Sequence, residues 1–155
     1  MRISLQVCHG HSFIYAADQH LVRHRLVTRE GWDESALADA NTHIYVYFSV
    51  DSDERPERQL WIDVRNGTLF ARMSTAIGPF EVFGFAQVWK PGPKSVVVEF
   101  PRSLLGKHIS SYRYSVRSSF HEDFHPECGG GGDAVIICAD VVPWRGWIEH
   151  RHVPK

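Results

Sequence analysis

The chain has 155 residues, 17 Lys+Arg against 18 Asp+Glu, and hydrophobic and charged contents of 43% and 23%. That size and composition suit one globular domain with a real core and exclude a wholly disordered chain. A formal charge of -1 argues against a dedicated nucleic-acid binder, and no apolar run approaches the roughly 18 residues of a membrane-spanning helix. Ten histidines stand out; titrating near ~6.5, they would carry the net charge toward roughly +9 at acidic pH.

In chain order, Met1-Arg2-Ile3-Ser4-Leu5 has no apolar h-region, so no secretory signal is expected in this chain. Leu21 to Thr28 reads as a strand, and Asp33 to Asp39 as one or two helical turns. The β-branched and aromatic run Ile44 to Val50 closes at the polar segment Asp51 to Pro56. Gln59 to Val64 and Thr68 to Met73 flank Asn66-Gly67, the strongest short-range hairpin signal, because both turn residues tolerate positive φ. Further strands are expected at Glu81 to Trp89, Ser95 to Phe100, Tyr112 to Phe120 and Ala134 to Asp140. Gly78-Pro79, Pro91-Gly92-Pro93, Gly106 and the run Gly129 to Gly132 punctuate them, and Pro101 to Leu105 reads as a single helical turn.

Several groups carry possible chemistry. His121-Glu122-Asp123-Phe124-His125 matches H-E-x-x-H, in which a helix stacks two zinc-binding imidazoles and the Glu acts as general base. Here a strand pattern runs into the pentad and Pro126 follows it, disfavouring helix at His125. An irregular loop over residues 121–127 is therefore expected, without peptidase activity. Asp51 and Asp53 offer an oxygen-rich loop of the kind that holds Ca²⁺, or simply a solvated acidic turn. His9 with His11, and His150 with His152, are i,i+2 pairs able to share a strand face, and Met73 is a conceivable haem ligand that nothing singles out. Trp144 and Trp147 flank Arg145-Gly146 and suit a sugar-stacking platform with an arginine donor; core packing is the plain alternative. Trp89 beside Lys90-Pro91-Gly92 is a further aromatic of this kind. No nucleophile elbow, phosphate loop or dinucleotide fingerprint is present. Cys128 and Cys138 lie ten apart across four glycines, a spacing that allows a bridge and equally allows two free thiols.

A series of short motifs carries a resemblance. It runs from Trp32 through Tyr47-Phe48-Ser49-Val50-Asp51-Ser52-Asp53 and Ser95-Val96-Val97-Val98-Glu99-Phe100-Pro101-Arg102-Ser103-Leu104-Leu105. It continues with Tyr112-Arg113-Tyr114, Ser118-Ser119-Phe120, Cys128, Cys138, Asp140-Val141-Val142-Pro143, Gly146 and His150. This order resembles a β-sandwich domain of exported actinobacterial proteins, and is distantly similar to carbohydrate-binding sandwich modules of the DOMON and family-nine type. The resemblance implies export and a Cys128–Cys138 disulfide, with Cys8 left free, and assigns no catalytic residue.

Together these readings predict an all-β fold: a single domain over residues 1–155, built as an antiparallel, jelly-roll-like β-sandwich with one or two short helices. The expected function is a non-catalytic extracellular module binding a glycan or other surface ligand through Trp144, Arg145 and Trp147, with Ca²⁺ at Asp51 and Asp53 as its conceivable cofactor. Neither a nucleic-acid partner nor a transmembrane segment is expected. One alternative is a metal-dependent hydrolase using zinc at His121 and His125 with Glu122. Another is a structural or assembly domain joined through its strand edges. A cytoplasmic location is the alternative to export.

Overall fold

A computed structural model of the chain describes residues 20–28, 30–38, 42–51, 53–121, 137–143 and 145–151, with the backbone alone at 120, 121, 137–140 and 151. Among these residues the chain forms β1 (Leu21–Val27), β2 (His43–Ser49), β3 (Arg58–Arg65), β4 (Thr68–Thr75), β5 (Val82–Gly92), β6 (Ser95–Pro101), β7 (Ser111–His121), β8 (Ile137–Val142) and β9 (Ile148–Arg151). The two expected helical segments are single 3-10 turns, Glu34–Leu37 and Arg102–Leu104. Asp33 caps the first of them, its Oδ1 accepting the Ser35 N–H at 2.9 Å. The fold is antiparallel β throughout, as the residue pattern predicts, and no described helix is long and apolar enough to cross a membrane.

The hydrogen bonding differs from two separate packed sheets. One curled sheet runs β1-β6-β5-β4-β3-β2-β7-β8, and β9 also pairs with β7. The physical reason lies in β5, which at 11 residues is long enough to serve two neighbours. Its Val82 to Ala86 segment pairs with β4, where a register shift falls between Met73 and Ser74, and its Gln87 to Gly92 segment pairs with β6. A bulge of this kind sharpens twist and bends the strand, so the sheet turns a corner without breaking. Gly84 sits at this corner, and a Cβ there would lie 2.5 Å from Leu104 Cδ2, so any larger residue would have to push the end of the Leu104 side chain aside. The Asn66-Gly67 turn forms as expected, with φ of 51° and 74° at the two residues.

Alternation sets the two faces. Ile44, Val46 and Phe48 of β2, Leu60 and Ile62 of β3, and Ala71 and Met73 of β4 point inward and are buried. Val96, Val98 and Phe100 of β6 with Tyr112, Tyr114 and Val116 of β7 complete the concave side. Each such aliphatic or aromatic side chain contributes about 1.5–3 kcal/mol on leaving water. Met73 is thereby a core residue, enclosed by hydrocarbon. His24 of β1 meets Phe48 of β2 and Tyr112 and Tyr114 of β7 with ring centroids 4.7–5.8 Å apart. The two flanks of the curled sheet therefore face each other across a single core.

Candidate functional site

The outward-pointing residues of the same strands make the most distinctive surface. Because β2, β3, β4, β5 and β7 are mutually in register, Arg117, Tyr45, Trp61, Arg72 and Phe85 stand directly opposite one another in a row across five strands. Neighbouring strands lie ~4.8 Å apart, so the row spans about 19 Å. Tyr45 packs on Trp61 at 5.2 Å and on Tyr47 at 6.0 Å, between ring centroids. The Arg72 guanidinium lies 4.3 Å from the Trp61 ring centre and 5.4 Å from that of Phe80, and Arg65 lies 4.2 Å from Phe70. Phe70 in turn packs against Phe85 at 5.5 Å. Burial, with Tyr47 beside it, pushes the Tyr45 phenol above its ordinary range.

The β4–β5 connection extends this face with exposed apolar side chains. Ile77, Phe80 and Phe85 are 61%, 53% and 62% exposed, and Val82 and Phe83 are also open to solvent. Single exposed hydrophobic residues are ordinary; here several aromatic side chains lie together with arginines among them. The donors on the patch are also underused: Trp61 Nε1 and Arg72 Nε are buried without a hydrogen-bond acceptor. Arg23 further round the sheet is different, since its Nε donates to Glu99 Oε2 at 2.7 Å.

The sites expected from the sequence fall elsewhere. Asp51 and Asp53 do come together, joined by Glu57, with one ligand oxygen from each within 4.8 Å of the others. The loop already uses these oxygens: Asp51 Oδ1 accepts the Asp53 N–H at 3.0 Å and Asp53 Oδ1 accepts the Arg55 N–H at 2.9 Å. Glu57 Oε2 accepts the Val50 N–H at 2.8 Å. The Asp53 N–H holds Asp51 below the usual carboxylate range, whereas burial chiefly pushes Glu57 up. Exposed Arg145 and half-buried Trp147 are both surface-accessible, while Trp144 lies outside the described residues. The H-E-x-x-H expectation needs correction at its first residue: His121 is the last residue of β7, opposite Ile137, so the segment opens on a strand and not in a loop. Glu122 and His125 lie outside the described residues, as do Cys8 and Cys128; Cys138 falls in β8, where the backbone alone is described.

Two further places gather titratable groups. A cleft of about 410 Å³ at the start of the β6–β7 connection is lined by His20, Arg102, Lys107 and His108, and offers cations without aromatic surface. Inside the core, His24 is 1% exposed, and its Nε2 lies 3.0 Å from Tyr112 Oη. Burial, aided by the charge of His150, lowers the His24 pKa to about 3, and burial drives the Tyr112 phenol upward, so both stay neutral.

Residue pattern alone pointed to Trp144 and Trp147 and passed over Trp61, Arg72 and Phe85. A signal for part of the row was present: a two-residue turn at Asn66-Gly67 sets Arg65 opposite Thr68 and hence Trp61 opposite Arg72. Comparison of the chain with protein-family models, with curated proteins and with solved structures returns no match.

Proposed function

We propose that this chain is a non-catalytic binding module whose ligand lies on the outer face of β2–β5. The observation that carries the reading is the in-register row of Tyr45, Trp61, Arg72 and Phe85, continuous with exposed Phe80, which meets both Trp61 and Arg72. Tyr, Trp, Phe and Arg are the residues that protein interfaces concentrate at their centres, because they combine large apolar area with directed polar contacts. The face of Trp61 is already covered by Arg72, and the most open side chains lack polar atoms. That chemistry suits a polypeptide surface better than a sugar ring. A glycan held at Trp144, Arg145 and Trp147 is the second reading, favoured by the exposure of Arg145 beside the half-buried Trp147 ring. The facing flanks of the sheet, joined by His24, Phe48 and Tyr112, support reading the fold as a sandwich variant with one continuous corner. The resemblance to exported sandwich domains supports action outside the cell.

Screening the purified protein against a displayed peptide library and a glycan array, with Phe80→Ser/Phe85→Ser and Trp147→Ala variants in parallel, tests this. Ligands retained by the wild type and by Trp147→Ala but lost from the double variant are expected. Ligands retained by the double variant and lost from Trp147→Ala would move the site to the C-terminal aromatics.

A further inference from the structure

We propose that the occupant of the outer face is an acidic segment of another protein, its carboxylates paired with Arg72 and Arg117 and its apolar side chains laid on Phe80 and Phe85. The inference rests on the binding-face reading above and adds the chemistry of the partner. Charge is its first support. By alternation Arg65, Arg72, Arg113 and Arg117 stand on the outer side of β3, β4 and β7, against one strand carboxylate, Asp63, and Glu81 of the β4–β5 connection, although the whole chain is near neutral. Asp63 Oδ1 is occupied by the Val64 N–H at 2.7 Å. Among the described residues Arg65, Arg72 and Arg117 make no ion pair, whereas Arg23 pairs with Glu99 and Arg113 with Glu54.

Geometry is the second support. The Arg72 guanidinium carbon lies over the Trp61 ring and its Nε is buried, so the terminal Nη groups are the donors that would meet a carboxylate. Arg117 and Arg72 are three strand spacings apart, ~14 Å, which about four residues of extended chain span. Between them lie Tyr45 and Trp61, against which intervening side chains can pack. A second copy of this chain would set these arginines against each other, so self-pairing is disfavoured. A nucleic acid would meet stacking groups here, but a chain of net charge -1 lacks the general basic excess such binding draws on.

The test is titration of the protein with a random copolymer of glutamate and tyrosine at low salt, followed by calorimetry. Heparin and oligothymidylate serve as anionic comparisons, and sedimentation reports self-association. The copolymer is expected to bind with an affinity that falls as salt is added, and Arg72→Gln and Arg117→Gln are each expected to weaken it about five- to tenfold. Arg117 is exposed, so its variant keeps the test sound if loss of Arg72 disturbs the packing on Trp61. Copolymer affinity unchanged in both arginine variants but lost in Phe80→Ser/Phe85→Ser would overturn the acidic partner and leave the binding face standing. Unchanged affinity in all three, or no copolymer binding at all, would overturn the proposal, and the former would remove the face as well. Heparin or oligothymidylate bound through the same arginines in preference to the copolymer would replace the partner by an acidic glycan or a nucleic acid. Self-association abolished by Phe80→Ser/Phe85→Ser would replace it by a second copy.

Discussion

Lowering the pH from 7 to 5 should expose the cost of a histidine kept neutral inside the sheet. His24 is enclosed by Phe48, Phe100, Tyr112 and Tyr114, with His150 acting on it through space and Tyr112 bonded to its Nε2. Its native pKa is lowered to about 3, below the ordinary value of 6.5. The unfolded chain therefore takes up a proton at mildly acidic pH that the native chain refuses. Stability present above the unfolded pKa is lost as pH falls through 6.5, and the loss levels off only near the native value. For one site with these two pKa values, linkage gives a loss of about 2 kcal/mol between pH 7 and pH 5.

Urea denaturation of the wild type and of His24→Gln at both pH values isolates this site from every other titrating group. The absolute stability of the variant differs from that of the wild type, because the amide replaces a ring at the Tyr112 contact; the quantity read is the change between the two pH values. The wild type should lose about 2 kcal/mol more than the variant over that interval. Equal losses would show that His24 takes up its proton in the folded state as easily as in the unfolded one, and would refute the burial argument.

Three further outcomes follow from packing and covalent structure. Ile62→Ala removes a fully buried side chain from the centre of the core and should cost about 3 kcal/mol in chemical denaturation. Gly84→Ala forces the end of Leu104 to move, with an expected loss of about 1 kcal/mol that Leu104→Ala in the same chain largely reverses, measured by thermal unfolding. Intact-mass analysis after alkylation without reductant should find one reactive thiol, Cys8, if the Cys128–Cys138 bridge implied by the resemblance is present; three alkylated thiols would remove the bridge.

Strands were legible in this chain because their signals are local. The run Ile44 to Val50, the Asn66-Gly67 turn and the alternation over Tyr112 to Phe120 each identify an element without reference to its neighbours. The joining of the strands was less legible. One sheet or two depends on whether β5 pairs along both halves, and the bulge beside Ser74 that permits this has no signature among Met73, Ser74 and Thr75. The short strand Ile148–Arg151 is defined by its pairing with Ser111 to Tyr114 and not by its own four residues. The candidate face has the same character. Trp61 opposite Arg72 follows from a two-residue turn, but Tyr45 opposite Trp61 crosses the segment between β2 and β3, whose length sets no register. Searching for chemistry in short motifs drew attention to His121 and to Trp144, whereas the row over β2–β5 is assembled from one or two residues per strand.

Fluorine NMR of the protein labelled with fluorophenylalanine addresses the binding face directly, with resonances assigned by single Phe→Leu variants and the glutamate–tyrosine copolymer added at low salt. Phe80 and Phe85 on the outer side should shift or broaden in step with binding, while Phe48 and Phe100, buried on the other side of the same sheet, stay in place. Copolymer binding measured under the same conditions with the Phe80 and Phe85 resonances unmoved would contradict the assignment of the outer face of β2–β5 as the site.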